Sequence, residues 1–196
     1  MSVTKKRILM GILSALFAPV ASAHTGHVMT GGFISGLLHP LTGLDHLLVM
    51  LVVGVLIGLR ADTRYQGRWL LGFAGAFVIA MAAGSLGAGA AWLEFMLALS
   101  VLLAGVLLLK FASINSAVVM VFVLGMAGLH GYVHGLEMPA SGQAAGWMSG
   151  VALAILMITA VAVQLGRAAA SKVQYKNRLQ VLGYGVVACG LAIAVT

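Results

Sequence analysis

Six long apolar stretches, separated by short polar segments, constrain this chain of 196 residues more than any other feature of its sequence. A helix needs roughly 20 apolar residues to cross the hydrocarbon core of a bilayer, where it satisfies its backbone hydrogen bonds internally. The sequence therefore predicts an all-α membrane protein, a bundle of six transmembrane helices left after removal of an N-terminal signal peptide. The predicted spans are 35–59, 69–90, 92–109, 114–133, 144–166 and 179–195.

The composition excludes several other classes of protein. Apolar residues make up 62% of the chain and charged residues only 8%, whereas a soluble domain is about 25% charged. This excludes a water-soluble globule, a disordered tail and, despite a net charge of +7, a nucleic-acid binder. The expected surroundings of the protein are the lipid bilayer.

The first 23 residues are typical of a secretory signal peptide. Basic residues at 5–7 precede an apolar run at 8–17, which is too short to span, and the small residues at 21–23 resemble a signal peptidase site. We therefore predict cleavage after Ala23, which leaves residues 24–196 as a single transmembrane domain. An uncleaved first helix is the alternative.

The remaining basic residues predict the orientation of the chain. Lys and Arg are enriched in the cytoplasmic loops of membrane proteins. All eight follow the first, third or fifth span: Arg60, Arg64, Arg68, Lys110, Arg167, Lys172, Lys176 and Arg178. We expect a multi-pass protein of the bacterial inner membrane with its mature N-terminus in the periplasm, so every histidine is external or lies in the outer leaflet.

Two histidine motifs at the outer ends of spans are candidate metal ligands. His39 and His46 are two helical turns apart and should share a face, beside Asp45, which is either a ligand or an acceptor that orients His46. His130 and His134 are one turn apart, with Glu137 on the same face. Ionisable groups are costly inside a bilayer and usually mark function.

Imidazole and carboxylate ligands together suit Ni²⁺, Co²⁺ or Zn²⁺, and the absence of a thiolate argues against a dedicated Cu(I) site. Core histidines bonded to helix carbonyls are the alternative. A second, weaker pair, His24 and His27, either captures dilute metal beside the new N-terminus or belongs to a tolerated tail. We interpret Met50 and Met126, and glycine pairs such as Gly54 and Gly58, as packing residues.

With its cleaved signal and six spans, the chain resembles the HupE/UreJ family. The likeness rests on His39-x5-Asp45-His46, with Pro40, Gly43 and Met50, and on His130-Gly131-x2-His134-Gly135-x-Glu137. The family's second motif usually has Phe and Ala where Leu129 and Val133 stand here. The resemblance implies a nickel permease, with hydrogenase or urease maturation proteins as partners. It implies His39, Asp45, His46, His130 and Glu137 as site residues; His134 is added from spacing.

Three other functions stay open at this point. Intramembrane hydrolases also hold Zn²⁺ by His and Asp, and Ser35 near His39 could assist such chemistry. A haem-binding redox protein and a metal sensor or assembly partner that does not transport are the other two. The sequence has no nucleotide-binding loop and no nucleophile elbow. We therefore expect no ATP-driven action by this chain alone. The permease interpretation predicts a protein that is not an enzyme and has no permanently bound cofactor, with Ni²⁺, or secondarily Co²⁺, as its cargo.

The cleavage prediction can be tested directly. Edman sequencing of the purified protein is expected to begin at His24, because a signal peptidase cuts after the small residues at 21–23. A protein that begins at Met1 or Ser2 would show that the segment is retained.

Overall fold

The computed structural model describes residues 32–140, 142–170 and 175–195 and forms seven helices there, without a strand in those ranges. The predicted signal peptide lies outside them. The helices are α1 Phe33–Thr42, α2 Leu44–Arg60, α3 Gln66–Gly84, α4 Trp92–Leu109, α5 Ser116–Leu136, α6 Ala144–Ala170 and α7 Tyr175–Ile193.

Several of these helices are long and apolar enough to cross a membrane, as the hydropathy predicts. Helices α3, α4, α5 and α6 each meet that requirement alone, and α1 and α2 meet it together as a bent pair. In α7, the stretch Asn177–Ile193 is apolar but shorter than these four helices. An all-helical, multi-pass membrane protein is confirmed, while the count of six spans stays a prediction.

The first predicted span is not one helix, and this corrects the expectation for its histidines. The chain leaves the helix at Gly43, which is extended at φ −90° and ψ 112°, and α1 and α2 meet at 84°. Pro40 lies close to the end of α1. Because proline has no N–H, it weakens that last turn. His39 and His46 therefore do not share a helix face.

Glycines let the helices pack against each other's backbones. A Cβ at Gly131 or Gly135 of α5 would overlap a carbonyl oxygen of α3, at Phe77 or Met81. Gly54 and Gly58 of α2 lie as closely against carbonyl oxygens of α6. Small residues bring membrane helices together in this way. The interpretation of these spacings as packing features is confirmed.

A continuous apolar core fills the bundle along α2 from Val49 onwards. Val49, Val53 and Ile57 succeed one another along α2 and are fully buried, as is Val119 on α5. Phe77 of α3 belongs to the same cluster. Side chains on the outer faces of the helices, such as Leu71 and Ile79, are exposed and apolar, which suits contact with lipid.

We expect Gly131→Ala to destabilise the protein. Its methyl group would overlap the Phe77 carbonyl and force α3 and α5 apart, which costs about 1–3 kcal/mol in a tightly packed interface. The control is Gly125→Ala on the same helix, where nothing lies within 4 Å of the added carbon. Thermal unfolding followed by circular dichroism in neutral detergent compares the two. Equal melting temperatures would contradict the proposed contact.

Candidate metal centre

Four histidine rings from three helices meet at one end of the bundle. The ring of His46 on α2 is 4.3 Å from that of His134 and 5.2 Å from that of His130, measured between centroids. His39 on α1 is 5.2 Å from His134 and 6.4 Å from His46. The bend at Gly43 turns α1 across the end of α2, so the two rings approach without sharing a helix face. The structure thus brings all four predicted intramembrane histidines together.

The cluster runs from the protein surface into its interior. The side chains of Glu137 and His39 are 38% and 30% exposed, whereas that of His46 is 8% exposed. His130 and His134 are fully buried. A small ion arriving from outside would therefore meet Glu137 and His39 before the other rings.

The outer part of the cluster has the spacing of a metal site. His39 Nε2 lies 2.9 Å from Glu137 Oε2. One ligand atom each from His39, His134 and Glu137 all fall within 4.8 Å of one another. Glu137 is the C-cap residue of α5, and its carboxylate contacts His39 of α1. Two imidazoles and a carboxylate are a ligand set that suits Ni²⁺, Co²⁺ or Zn²⁺.

The hydrogen bonds of His46 and His134 fix the tautomer of each neutral ring. His46 Nδ1 donates to Asp45 Oδ1 at 2.8 Å, so Asp45 orients the ring. His134 Nδ1 donates to the carbonyl oxygen of His130, one turn earlier on α5, at 2.7 Å. Carboxylates and carbonyls only accept hydrogen bonds, so each Nδ1 carries the proton and each Nε2 keeps a free lone pair.

His130 is oriented by Ser100 on α4, a residue that the sequence analysis missed. The Ser100 hydroxyl donates its one proton to the Leu97 carbonyl at 2.6 Å, so it accepts from His130 Nε2 at 2.9 Å. The free lone pair of His130 is then on Nδ1. A signal existed in the sequence, because Ser100 is the one hydroxyl between positions 92 and 109.

Three imidazole nitrogens in this cluster are consequently buried and unpaired. They are His46 Nε2, His130 Nδ1 and His134 Nε2, and none has a hydrogen-bond partner in the structure. Buried polar atoms without partners are rare and costly. Each of these nitrogens can offer its lone pair to a cation, because each ring is already held by its other nitrogen.

Aromatic rings also line the cluster, and the sequence analysis did not identify them. Trp147 of α6, itself 2% exposed, is 5.1 Å from the ring of His39. Phe77 of α3 is 5.4 Å from that of His134. Aromatic side chains at helical spacing are typical of any core, so the sequence alone could not assign them here. They limit the water around the inner rings.

The other sequence candidates fall outside this cluster. His24 and His27 lie outside the described residues, so their role in capture stays a prediction. Met50 and Met126 belong to the apolar core, in keeping with a packing role.

The fold and site define a multi-pass helical membrane protein with an imidazole and carboxylate cluster at one end of its bundle. The family model described as HupE / UreJ protein matches residues 12–193. The chain belongs to the HupE/UreJ family. "Protein HupE" of Rhizobium leguminosarum bv. viciae is 33% identical over 158 residues, which cover 78% of this chain and 80% of that protein. No solved structure matches the chain.

Replacing Ser100 tests the role assigned to its hydroxyl. Ser100→Ala removes the acceptor for His130 Nε2–H, and we expect about tenfold weaker Ni²⁺ binding, the lower end of the usual loss when a group that orients a ligand is removed. Competition with a chromophoric chelator in detergent solution measures the affinity.

Ser149→Ala is the matched control. Its hydroxyl also donates to a carbonyl three residues earlier, Gly146, at 2.8 Å, and the residue is exposed on α6. Equal Ni²⁺ affinities for the two variants would rule out a role for Ser100 in holding His130.

Proposed function

We propose that this protein is a nickel permease of the bacterial inner membrane, with Co²⁺ as a second cargo. It moves the ion from the periplasm to the cytoplasm, where hydrogenase or urease maturation proteins use it. Membership of the HupE/UreJ family supports an accessory role in metal supply, and so does the likeness to Protein HupE. The activity proposed is transport without chemical change of a substrate, so the protein is not an enzyme.

One observation carries this proposal: four histidine rings gather beside two carboxylates, and three of the rings have a buried nitrogen without a hydrogen-bond partner. Water binds a divalent cation strongly, so a membrane site must replace part of that hydration shell. Neutral imidazoles replace water ligands, while Asp45 and Glu137 offset the positive charge. This donor set favours Ni²⁺ and Co²⁺ over the hard cations Mg²⁺ and Ca²⁺.

The exposure gradient orders the steps of binding. The ion first meets Glu137 and His39, whose side chains are the exposed members of the cluster. It then passes to His134, which belongs to the same close group, and on to His46 and His130. Because His134 contacts the rings on both sides, the ion can change ligands without returning to full hydration.

The broken helix places two helix ends beside the site. Helix α1 ends at Thr42, and at the next residue, Gly43, an added Cβ would lie 3.0 Å from His46 Nδ1 and 3.2 Å from Asp45 Oδ1. The C-terminus of α1 carries partial negative charge, whereas the N-terminus of α2, with Asp45 in its first turn, carries partial positive charge. The two ends oppose each other, so the carboxylates rather than the helix ends offset the charge of the ion.

Release of the ion into the cytoplasm requires a change in the packing of the bundle. Beyond His46, α2 continues into Val49, Val53 and Ile57, all fully buried in the apolar core. Such a core has no ligand for an ion that has lost its water. In the proposed cycle, this arrangement is the one open to the periplasm, and the helices must part on the cytoplasmic side to release the ion.

We expect His46→Ala to abolish ⁶³Ni uptake in cells that lack other nickel importers. The substitution removes the ring that joins His130 to His134 and leaves Asp45 without its partner. Uptake with cobalt or zinc as competitor measures selectivity, and cobalt should compete better.

A second pair of variants controls for the loss of a charge. Glu137→Gln removes the carboxylate that contacts His39 and should lower uptake, whereas Glu94→Gln changes an exposed glutamate in the first turn of α4 and should not. Immunoblots of the membrane fraction verify equal amounts of each variant. Normal uptake by His46→Ala would refute the proposed function.

A further inference from the structure

A cavity of about 770 Å³ lies at the end of the bundle away from the histidines. It is formed by the last turns of α2 and α6, the loop after α2 and the beginning of α3. Its polar lining includes Arg60 and Arg167, together with Gln66 and Gln164. Nothing in the proposed transport function uses these residues, so the cavity needs an explanation of its own.

Arg60 is the least satisfied group in this cavity. Its Nε and Nη2 atoms are buried, and neither has a hydrogen-bond partner. Arg167 donates to the neutral Gln164 at 3.1 Å. Buried guanidinium donors without a partner are costly, and their planar arrangement matches the oxygens of a carboxylate or phosphate.

The cavity does not supply an anion of its own. Among the described residues that line it, Asp62 is the sole carboxylate, and Asp62 Oδ2 accepts from Arg64 Nη2 at 2.9 Å. Hydrogen bonds from the side chain and backbone of Arg64 lower the pKa of the Asp62 carboxyl. This carboxylate is exposed and already paired with Arg64. An anion that neutralises Arg60 would therefore have to be a bound ligand.

The surroundings of the cavity indicate a membrane surface. Leu165 and Val161 on α6, just before Arg167, are exposed and apolar. On the other side, Tyr65 precedes α3 and packs under the guanidinium groups of Arg64 and Arg68, at 5.6 and 5.4 Å. Apolar side chains beside aromatic and basic ones are typical of the level of lipid headgroups. Basic pockets between membrane helices at this level bind anionic headgroups.

We propose that this cavity binds the phosphate of an anionic phospholipid headgroup through Arg60 and Arg167. The phosphate oxygens accept from the two guanidinium groups, and the amide of Gln164 completes the polar wall. The acyl chains run along the exposed apolar face of α6. A bound lipid of this kind would bridge α2 and α6 at their inner ends and neutralise the charge of Arg60.

The test measures lipid binding to the full-length protein in neutral detergent. Native mass spectrometry with added phosphatidylglycerol is expected to show a retained lipid on the wild type, and phosphatidylcholine should bind less. Arg60→Gln should bind phosphatidylglycerol about tenfold more weakly, because hydrogen bonds between charged groups are lost. Arg167→Gln should weaken binding too, and it decides the matter if Arg60→Gln does not fold, since Arg167 is exposed.

Arg68→Gln is the matched control, because Arg68 has the same charge, is exposed at the start of α3 and lies outside the lining of the cavity. It should bind phosphatidylglycerol like the wild type. Equal losses in all three variants would show a general charge effect and overturn the proposal, as would unchanged binding by both cavity variants. A parallel arm adds inorganic phosphate. If phosphate displaces the lipid at millimolar concentration, the ligand is free phosphate and the lipid assignment is wrong.

Discussion

The hydrogen bond on one nitrogen of each buried imidazole is the interaction on which the rest of this site depends. A neutral ring has one N–H, and leaving it unpaired inside a bilayer would be costly. The protein satisfies it with a carboxylate for His46, a helix carbonyl for His134 and a serine hydroxyl for His130. In each ring, the opposite nitrogen keeps a free lone pair. The neighbours of each ring thus determine which nitrogen is available as a ligand, and for His130 that neighbour, Ser100, comes from another helix.

The sequence predicts the chemistry of the site better than its geometry. Scarce polar residues in an apolar chain have to gather, so His39, His46, His130 and His134 could be identified from composition and spacing. The helix geometry that brings them together could not be identified in this way. A continuous helix predicts that His39 and His46 share a face, but Pro40 and Gly43 end the helix between them. A hydropathy profile does not reveal such a break, because the segments on both sides of it are apolar.

Ser100, which acts through His130, could not be assigned from the sequence. Ser100 and His130 are thirty positions apart and on different helices, so only their packing relates them. Asp45 could be assigned, because it adjoins His46 in the chain. The glycine contacts were interpreted correctly for a similar reason, since a four-residue spacing is a local pattern that implies a close neighbour. Contacts between residues close in the chain could be predicted from the sequence, whereas contacts set by helix packing could not.

Helix α5 carries two of the four clustered histidines and a close helix crossing on adjacent positions. His130 and His134 face the cluster, while Gly131 and Gly135 lie against the backbone of α3. A side chain at either glycine would shift the helix and carry both rings with it. Sequence divergence among relatives should therefore spare these four positions together. It can accumulate on the opposite side of the helix, where Gly125 has open space around it.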